Sequence, residues 1–264
     1  DEIWGRGYKY VTGLLPSSYD YVGVPLRILE GMVSTAYLVN ADLTFTSGFG
    51  DAAETNLEEL GIQLQRRDVY SADTQNFTPI VTRARLSNPD LLVGGTSGVD
   101  DATQLVQAAK LAGLNPAMTY LTIAVVDNDF VGVLGADAEY ILGTTEWEPS
   151  LTELPGFDRF VDDYVAEHGE EPVEDVATAY GLAQVLAAAV VQAGVIDDEL
   201  INDAIHTLEI TTVFGNYQVD PETGMQTGKE IYAIQIQDGK REIVWPAEAA
   251  TAELIFPAPA WNER

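Results

Sequence analysis

The feature that most constrains the fold is a unit repeated in the first half of the chain, in which an apolar β-run is followed by an amphipathic helix. The β-runs cover residues 41–46, 62–70, 90–94 and 117–123. The segments between them place apolar residues at helical spacing, for example over residues 102–109. Strands that alternate with helices at this length form βαβ crossovers and a parallel sheet covered on both faces. The sequence therefore predicts an α/β fold.

The second half of the chain predicts helices followed by a small antiparallel region. Apolar residues at helical spacing indicate helices over residues 157–168, 175–193 and 197–208. Three alternating runs then follow between residues 212 and 245, separated by turn signals at 220–224 (Asp-Pro-Glu-Thr-Gly) and 238–239 (Asp-Gly). Residues 140–147 predict one further strand, which a loop follows.

The charge of the chain excludes some partners. There are 42 acidic and 13 basic residues, which gives a net charge of −29. A surface of this sign repels nucleic acid and anionic membranes. The hydrophobic content of 46% argues against disorder. Because the acidic residues are spread over the whole length, a surface adapted to high salt explains them better than an acidic tail.

Residues that catalyse reactions or bind metals are scarce. The chain has no Cys and two His, and neither His has metal-ligand spacing. There is no nucleophile elbow and no His-Glu-x-x-His motif. We therefore expect no metal, no cofactor and no enzymatic activity. No apolar run reaches the length of a membrane span, and no signal peptide opens the chain.

Residues 47–53 (Ser-Gly-Phe-Gly-Asp-Ala-Ala) lie between a predicted strand and a predicted helix. They are close to the Gly-x-Gly-x-x-Ala dinucleotide fingerprint, with Asp68 further on, which would suit an NAD-dependent oxidoreductase using the Gly48-x-Gly50 turn. A plain tight turn between strand and helix is the alternative. A third interpretation, a ligand-facing role for Ser47 and Phe49, follows from the resemblance described below.

Residues 94–98 (Gly-Gly-Thr-Ser-Gly) end the third predicted strand and precede a helix. Exposed backbone N–H groups at Gly95, together with the hydroxyls of Thr96 and Ser97, suit a carboxylate at a helix N-terminus. Ligands of open α/β sheets bind beyond the carboxyl ends of the strands, where this loop falls. No Lys follows at P-loop spacing, so a nucleoside triphosphate site is not expected. A loop that is merely rich in Gly remains the alternative.

Four short motifs stand in a fixed order near the end of the chain. They are Thr-Val-Phe-Gly at 212–215, Gln-Ile-Gln-Asp-Gly at 235–239, Val-Trp-Pro at 244–246 and Pro-Ala-Trp at 259–261. With the turn at 220–224, this order resembles the extracellular solute-binding proteins of ABC transporters, in the branched-chain amino-acid-binding family. The resemblance implies a two-lobed, type I periplasmic-binding-protein-like fold in which each lobe is a parallel βαβ sandwich.

The implied lobe one comprises residues 1–36 and 148–264, and lobe two comprises residues 37–147. Residues 8–13 look like a strand that crosses between the lobes. Family members begin with several βα units that build most of lobe one. Those units have no counterpart here, so the resemblance implies an incomplete lobe one.

The resemblance also implies a set of ligand-binding residues. Family members carry an aromatic residue that packs on the ligand, which points to Phe49. Many amino-acid binders place a Glu where this chain has Thr122 and Ile123, and the nearest acidic residues are Asp127 and Asp129. This departure leaves amides, carboxylates and other small polar solutes open. The remaining implied residues are Tyr19, Trp147, Val176 and Tyr180. Trp147 can equally be a hinge-packing residue, and Tyr180 a core aromatic.

The function implied by the resemblance is solute capture for an ABC importer. A branched-chain amino acid or a related amide or carboxylate would be trapped by hinge closure of the two lobes. The chain would be a monomer that docks on the membrane permease. It would work outside the cell or in the periplasm, anchored through an N-terminal segment absent here. A ligand sensor or regulator built on the same module is the alternative.

Overall fold

In the computed structural model, which describes residues 3–264, the chain forms two compact units. Unit 1 comprises Asp1–Ser17 and Thr145–Ile231, and unit 2 comprises Ser18–Thr144 and Tyr232–Arg264. The chain therefore passes from one unit to the other three times. The predicted boundaries differ from these, because residues 18–36 and the C-terminal residues 232–264 belong to unit 2.

The α-helices and strands alternate over most of the described residues. The helices are α1 Ser18–Arg27, α2 Thr44–Glu59, α3 Thr78–Ser87, α4 Val99–Ala112, α5 Asn128–Leu134, α6 Phe157–His168, α7 Glu174–Ala193 and α8 Asp198–Thr207. The strands are β1 Thr35–Ala41, β2 Gln63–Tyr70, β3 Leu91–Gly95, β4 Met118–Leu121, β5 Leu142–Thr145, β6 Ile210–Thr212, β7 Gly215–Tyr217, β8 Tyr232–Gln237 and β9 Lys240–Trp245.

The sheet of unit 2 confirms the predicted α/β class. Its strand order is β2-β1-β3-β4-β5-β8-β9. The pairs β1–β2, β1–β3, β3–β4 and β4–β5 are parallel, and β8–β9 is an antiparallel hairpin at one edge. Because β8 and β9 continue this sheet, the last part of the chain joins unit 2 rather than the helices that precede it in sequence.

The first strand lies earlier than predicted. Residues 41–46 were expected to form it, but β1 ends at Ala41 and α2 begins at Thr44. Residues 36–41 are all buried, as expected of a central parallel strand covered on both faces. The Thr46 hydroxyl donates to the Ala41 carbonyl over 2.6 Å, which ties the first turn of α2 to the end of β1.

This shift removes the dinucleotide interpretation of residues 47–53. Gly48 and Gly50 lie inside α2, so no glycine turn follows the strand there. A Cβ on Gly50 would clash with the Arg67 guanidinium, so only a glycine leaves room for the Arg67 side chain at this position. Asp68, which would bind a ribose in the dinucleotide interpretation, is buried and accepts from the Tyr37 hydroxyl over 2.6 Å.

Phe49 lies in the core of unit 2. It is fully buried, and its ring centroid is 5.7 Å from that of Tyr120 on β4. The same cluster contains Leu38 and Val93 from the sheet and Leu26 from α1. Phe45, one helical turn earlier, is 47% exposed. The two rings of α2 therefore have different environments.

Unit 1 is built from α6, α7 and α8 with the antiparallel ribbon β6–β7. Its core contains one cluster around Trp147, Phe160 and Phe214, and a second around Val185 and Tyr217. Residues 8–13, predicted as a crossing strand, form no strand. The Gly13 N–H donates instead to the Gly224 carbonyl over 2.8 Å in the turn after β7.

The helix α7 corrects a further expectation. No run of membrane-spanning length was expected, but α7 is long and apolar enough to cross a membrane by length and composition alone. Polar residues interrupt the apolar sequence of α7, so the helix contains no uninterrupted apolar run of that length.

The two phenylalanines of α2 provide a test of the core assignment. We expect Phe49→Ala to destabilise the protein by about 3–5 kcal/mol, because it removes a buried ring and leaves a cavity. Phe45→Ala should change the free energy of unfolding by less than about 1 kcal/mol, because its ring is half exposed. Urea denaturation followed by circular dichroism measures both. Equal effects would contradict the assignment.

Candidate functional site

The candidate site of unit 2 lies at the carboxyl ends of its parallel strands. The residues that follow β1 and β4 lie at this edge, as does the loop after β3, because parallel strands end at the same side of a sheet. The sequence places Phe45, Thr96 and Thr122 there. We name this edge the strand-end site.

An aromatic pair forms one part of the strand-end site. The rings of Tyr21, from α1, and Phe45 meet edge to face, with centroids 6.5 Å apart and planes at 73°. The Tyr21 hydroxyl donates to the Thr144 carbonyl over 3.3 Å and accepts from the Thr122 hydroxyl over 3.5 Å. Phe45 is half exposed, whereas the predicted ligand contact Phe49 is buried. The ring available to a ligand in α2 is therefore Phe45.

The other predicted residues near α1 and α2 lie elsewhere. Tyr19 bonds through its hydroxyl to Glu59, in the last turn of α2, whereas Phe45 lies in the first turn. Ser47 lies in α2, and its carbonyl accepts from the Arg67 guanidinium. Tyr21, two residues after Tyr19, is the tyrosine that lies at the strand ends. Sequence reasoning missed Phe45 because it placed β1 too late, and it missed Tyr21 because it pointed to Tyr19, two residues earlier in α1.

The loop between β3 and α4 already holds a carboxylate of the protein. The Ser97 N–H and hydroxyl donate to Asp101 over 2.7 and 2.9 Å, and the Gly98 N–H donates to the same carboxylate over 3.0 Å. The buried Thr96 hydroxyl donates to the Thr122 carbonyl over 3.1 Å. A Cβ on Gly95 would lie 2.8 Å from the Phe49 ring, so Gly95 serves close packing. The donors expected to receive a ligand carboxylate are thus bonded internally.

The backbone turns sharply at the end of β4. Ile123 has φ 57° and ψ −63°. The residues on either side of it are hydrogen-bonded, since the Ala124 N–H donates to the Thr122 carbonyl over 2.6 Å. This is a γ-turn with positive φ, which is strained for a β-branched residue. Asp127 accepts from the Asp129 N–H over 2.8 Å and caps α5. Its carboxylate therefore has a structural role.

The predicted residues of unit 1 are largely structural. Trp147 is buried, its indole N–H donates to the Val213 carbonyl over 2.9 Å, and its ring stacks on Phe157 with centroids 5.6 Å apart. Val176 packs against the same cluster. Tyr180 is 46% exposed, and its ring lies 4.9 Å from that of Phe160.

Unit 1 also contains a buried charge cluster that the sequence did not reveal. The Lys229 ammonium donates to the carbonyls of Glu146 and Phe214 over 2.6 and 2.5 Å, and it lies 4.2 Å from the Phe214 ring centroid. The Glu174 carboxylate accepts from the Thr145 hydroxyl and the Glu146 N–H over 2.6 and 2.9 Å. We call Glu146, Glu174 and Lys229 the buried triad, in which Glu146 and Lys229 are buried and Glu174 is half-buried. Its members are far apart in sequence, and the only sequence signal is that Lys229 is one of four lysines.

Burial perturbs the titration of the triad. Removal from water raises the pKa of Glu146 to about 8, and the neighbouring Glu174 carboxylate adds to the shift. Burial also raises the pKa of Glu174 and lowers the pKa of Lys229 to about 8. Over residues 3–264 no group of acidic and His side chains has the arrangement of a metal site. The triad can hold or release a proton, but it does not form a metal centre.

Comparison with known proteins identifies the family. The sequence model of the family described as periplasmic binding protein matches residues 7–241 of the chain. The chain belongs to the periplasmic binding protein family. This agrees with the parallel sheet of unit 2 and with the order of motifs at the end of the chain.

Curated relatives extend the match to most of the chain. The Leu/Ile/Val-binding protein homolog 7 of Brucella abortus is 22% identical over 97% of this chain and 69% of its own length. Homolog 8 of the same species is also 22% identical, over 97% of this chain and 68% of the relative.

Solved structures share the fold. A leucine-binding protein from Thermotoga maritima has a TM-score of 0.81 and 20% identity, covering 90% of this chain and 68% of that protein. The closed conformation of a leucine-, isoleucine-, valine-, threonine- and alanine-binding protein from Brucella ovis has a TM-score of 0.79 and 18% identity, covering 96% and 69%. These neighbours are type I periplasmic binding proteins, which confirms the predicted fold type.

The buried triad predicts a pH-dependent effect of Glu146→Gln. The folded-state pKa of Glu146 is raised, so its contribution to stability is fully present below about pH 4.5 and is lost as the pH rises towards 8. The free energy of unfolding of the wild type relative to Glu146→Gln should therefore fall over this window, by up to about 1.4 kcal/mol per pH unit. Urea denaturation between pH 4.5 and 8 measures it.

Glu167→Gln is the matched control, because Glu167 is an exposed residue of α6 in the same unit. Burial does not cause the effect if the wild type differs from Glu146→Gln and from Glu167→Gln by the same free energy of unfolding at every pH. Lys229→Met should cost about 1–3 kcal/mol at pH 7 in the same urea denaturation, because it leaves the carbonyls of Glu146 and Phe214 without their donor.

Proposed function

We propose that the chain is the solute-binding component of an ABC importer and that it binds a branched-chain amino acid or a related amide or carboxylate. The observation that carries the proposal is the aromatic pair at the strand-end site of a periplasmic binding protein, in which Phe45 is half exposed and Tyr21 is partly buried. The similarity to the Leu/Ile/Val-binding protein homologs of Brucella supports an aliphatic side chain on the solute.

The strand-end site combines apolar and polar contacts in the way that small-solute sites do. The Phe45 ring and the edge of Tyr21 offer apolar surface to an aliphatic side chain. The Tyr21 hydroxyl offers a polar partner close to it, and the fully buried Thr122 donates to that hydroxyl from below. The interpretation of Phe49 as the aromatic contact is replaced by Phe45, because only the Phe45 ring is accessible.

The polar end of the solute is less constrained. Thr122 and Ile123 stand where many amino-acid binders of the family carry an acidic residue, and the Asp127 carboxylate caps α5. In this proposal no carboxylate from the end of β4 binds an ammonium group. Uncharged amides and simple carboxylates therefore belong in the solute class with leucine, isoleucine and valine.

The proposed mechanism uses the three chain connections between the units, at residues 17–18, 144–145 and 231–232, as a hinge. Binding of solute would favour the conformation that the membrane permease accepts. The protein would act outside the cell or in the periplasm. The family assignment supports this setting, and the net charge of −29 suits a receptor that does not adhere to anionic surfaces.

A solute panel tests the proposal on the purified chain in molar salt. We expect leucine, isoleucine or valine to raise the melting temperature, because a ligand that binds only the native state stabilises it. Leucinamide and 4-methylpentanoate should separate the contributions of the two charged groups. Isothermal titration calorimetry then measures the dissociation constants.

Phe45→Ala should weaken binding of the best solute about 3- to 10-fold, in line with about 0.5–1.5 kcal/mol for one aromatic contact. Leu86→Ala, at a highly exposed position of α3, is the control and should bind normally. Failure of every solute to bind, or equal affinity of the Phe45→Ala variant and the wild type, would overturn the proposed site.

A further inference from the structure

A cavity lies between α3 and α4 in unit 2. Its volume is about 410 Å³, which falls within the range of sites that take small molecules. The residues that line it come from the segment before α3, from α3 itself and from the second half of α4. Tyr21, Phe45 and Thr122 do not line it. The cavity is therefore separate from the strand-end site.

The lining of this cavity differs in charge from the rest of the chain. None of the described residues that line it is acidic, although the chain has 42 acidic and 13 basic residues. The charged residue in the lining is Arg85, on α3. The other polar side chains include four amides, those of Gln75, Asn76, Gln104 and Gln107. We call this space the amide cavity.

The Arg85 guanidinium has no carboxylate partner within residues 3–264. Its neighbours in the same part of unit 2 are paired, since Arg66 and Arg83 both form ion pairs with Asp68. Acidic residues exceed basic ones by 42 to 13, so an arginine without a carboxylate is unusual in this chain. Its fork of N–H donors can bind an anion that enters the cavity.

A second lining residue also lacks a partner. The Gln104 Oε1 atom is buried and has no hydrogen-bond donor. Most buried polar atoms of native proteins have a partner, and an exception calls for an explanation such as a missing ligand or water. The Gln104 amide bonds to no other described side chain or backbone group, and its last torsion has broad energy wells. The amide can therefore turn to meet a donor in the cavity.

The lining specifies the chemistry of a ligand. A guanidinium binds a carboxylate through charge-assisted hydrogen bonds, which are the stronger kind. The amide side chains match an amide group on the ligand, because each amide both donates and accepts. Leu111, which is 88% exposed, adds apolar surface for a short aliphatic group. A small molecule that carries both a carboxylate and an amide satisfies all three.

We propose that the amide cavity is a second binding site, which takes a small carboxylate with an amide group, as in an N-acylated amino acid. Arg85 binds the carboxylate, and Gln104 accepts a hydrogen bond from the amide N–H. The carboxyl end of a short peptide has the same chemistry. The proposal does not depend on which solute the strand-end site takes.

The probe is N-acetylalanine, titrated into the isotope-labelled chain and followed by NMR. We expect the backbone signals of residues 75–85 and 104–112 to shift with a single dissociation constant, while those of residues 44–46 do not move. N-acetylalaninamide, which has no negative charge, should bind at least about 10-fold more weakly, because it loses the charge-assisted pair with Arg85. Acetylated trialanine distinguishes the two sources, since only a peptide site binds it more tightly than N-acetylalanine.

Two substitutions test the named contacts. Arg85→Gln should weaken binding of N-acetylalanine at least about 10-fold and should fold, because the side chain is exposed. Arg159→Gln is the matched control, since Arg159 is an exposed arginine of α6 in unit 1, and it should bind normally. Gln104→Leu should weaken binding about 2- to 10-fold. It should also raise the melting temperature of the free chain, because an apolar group replaces a buried acceptor without a partner.

Three results would overturn the proposal. They are the absence of shifts in residues 75–85 and 104–112, equal binding of N-acetylalanine and its amide, and unchanged affinity in Arg85→Gln. Loss of N-acetylalanine binding in Phe45→Ala would also overturn it, because the probe would then occupy the strand-end site. Since Phe45 does not line the amide cavity, failure of this proposal and failure of the proposed function give different results.

Discussion

Unit 2 depends on the requirement that parallel strands be covered on both faces. Leu38 and Val39 on β1 and Leu91 and Val93 on β3 are completely buried, which is possible only with crossover helices on both sides. Each crossover brings the chain back to start the next strand in the same direction. The parallel strands β1–β5 therefore all end at one edge, and that edge collects Phe45, Thr122 and the loop after β3. The position of the strand-end site is a consequence of the sheet.

The buried triad has a comparable role in unit 1, although its interactions are electrostatic. Lys229 bonds to the segment after β5 through the Glu146 carbonyl and to the turn between β6 and β7 through the Phe214 carbonyl. Glu174 bonds the first turn of α7 to Thr145 and Glu146. Burying these charges opposes folding unless all of them find partners. The arrangement therefore favours one relative placement of the three segments.

How much the sequence could predict differs between elements. The helices of unit 1 were predicted to within one residue, because their apolar periodicity is long and clear. The boundary between β1 and α2 was wrong by several residues, because a buried parallel strand has no alternation to mark its ends. Because of that error, Phe49 rather than Phe45 was predicted as the aromatic contact of the ligand. It also created an apparent dinucleotide turn from two glycines that lie inside a helix.

The sequence by itself determined the α/β class, the family resemblance and the absence of a thiolate site, since these depend on local periodicity, motif order and composition. Only the tertiary structure decided which aromatic ring is accessible and which carboxylate fills the loop after β3. It alone brought Lys229 within hydrogen-bonding distance of the Glu146 carbonyl, across 83 positions of sequence. Contacts of this kind depend on how distant segments pack, and no local pattern of residues records that packing.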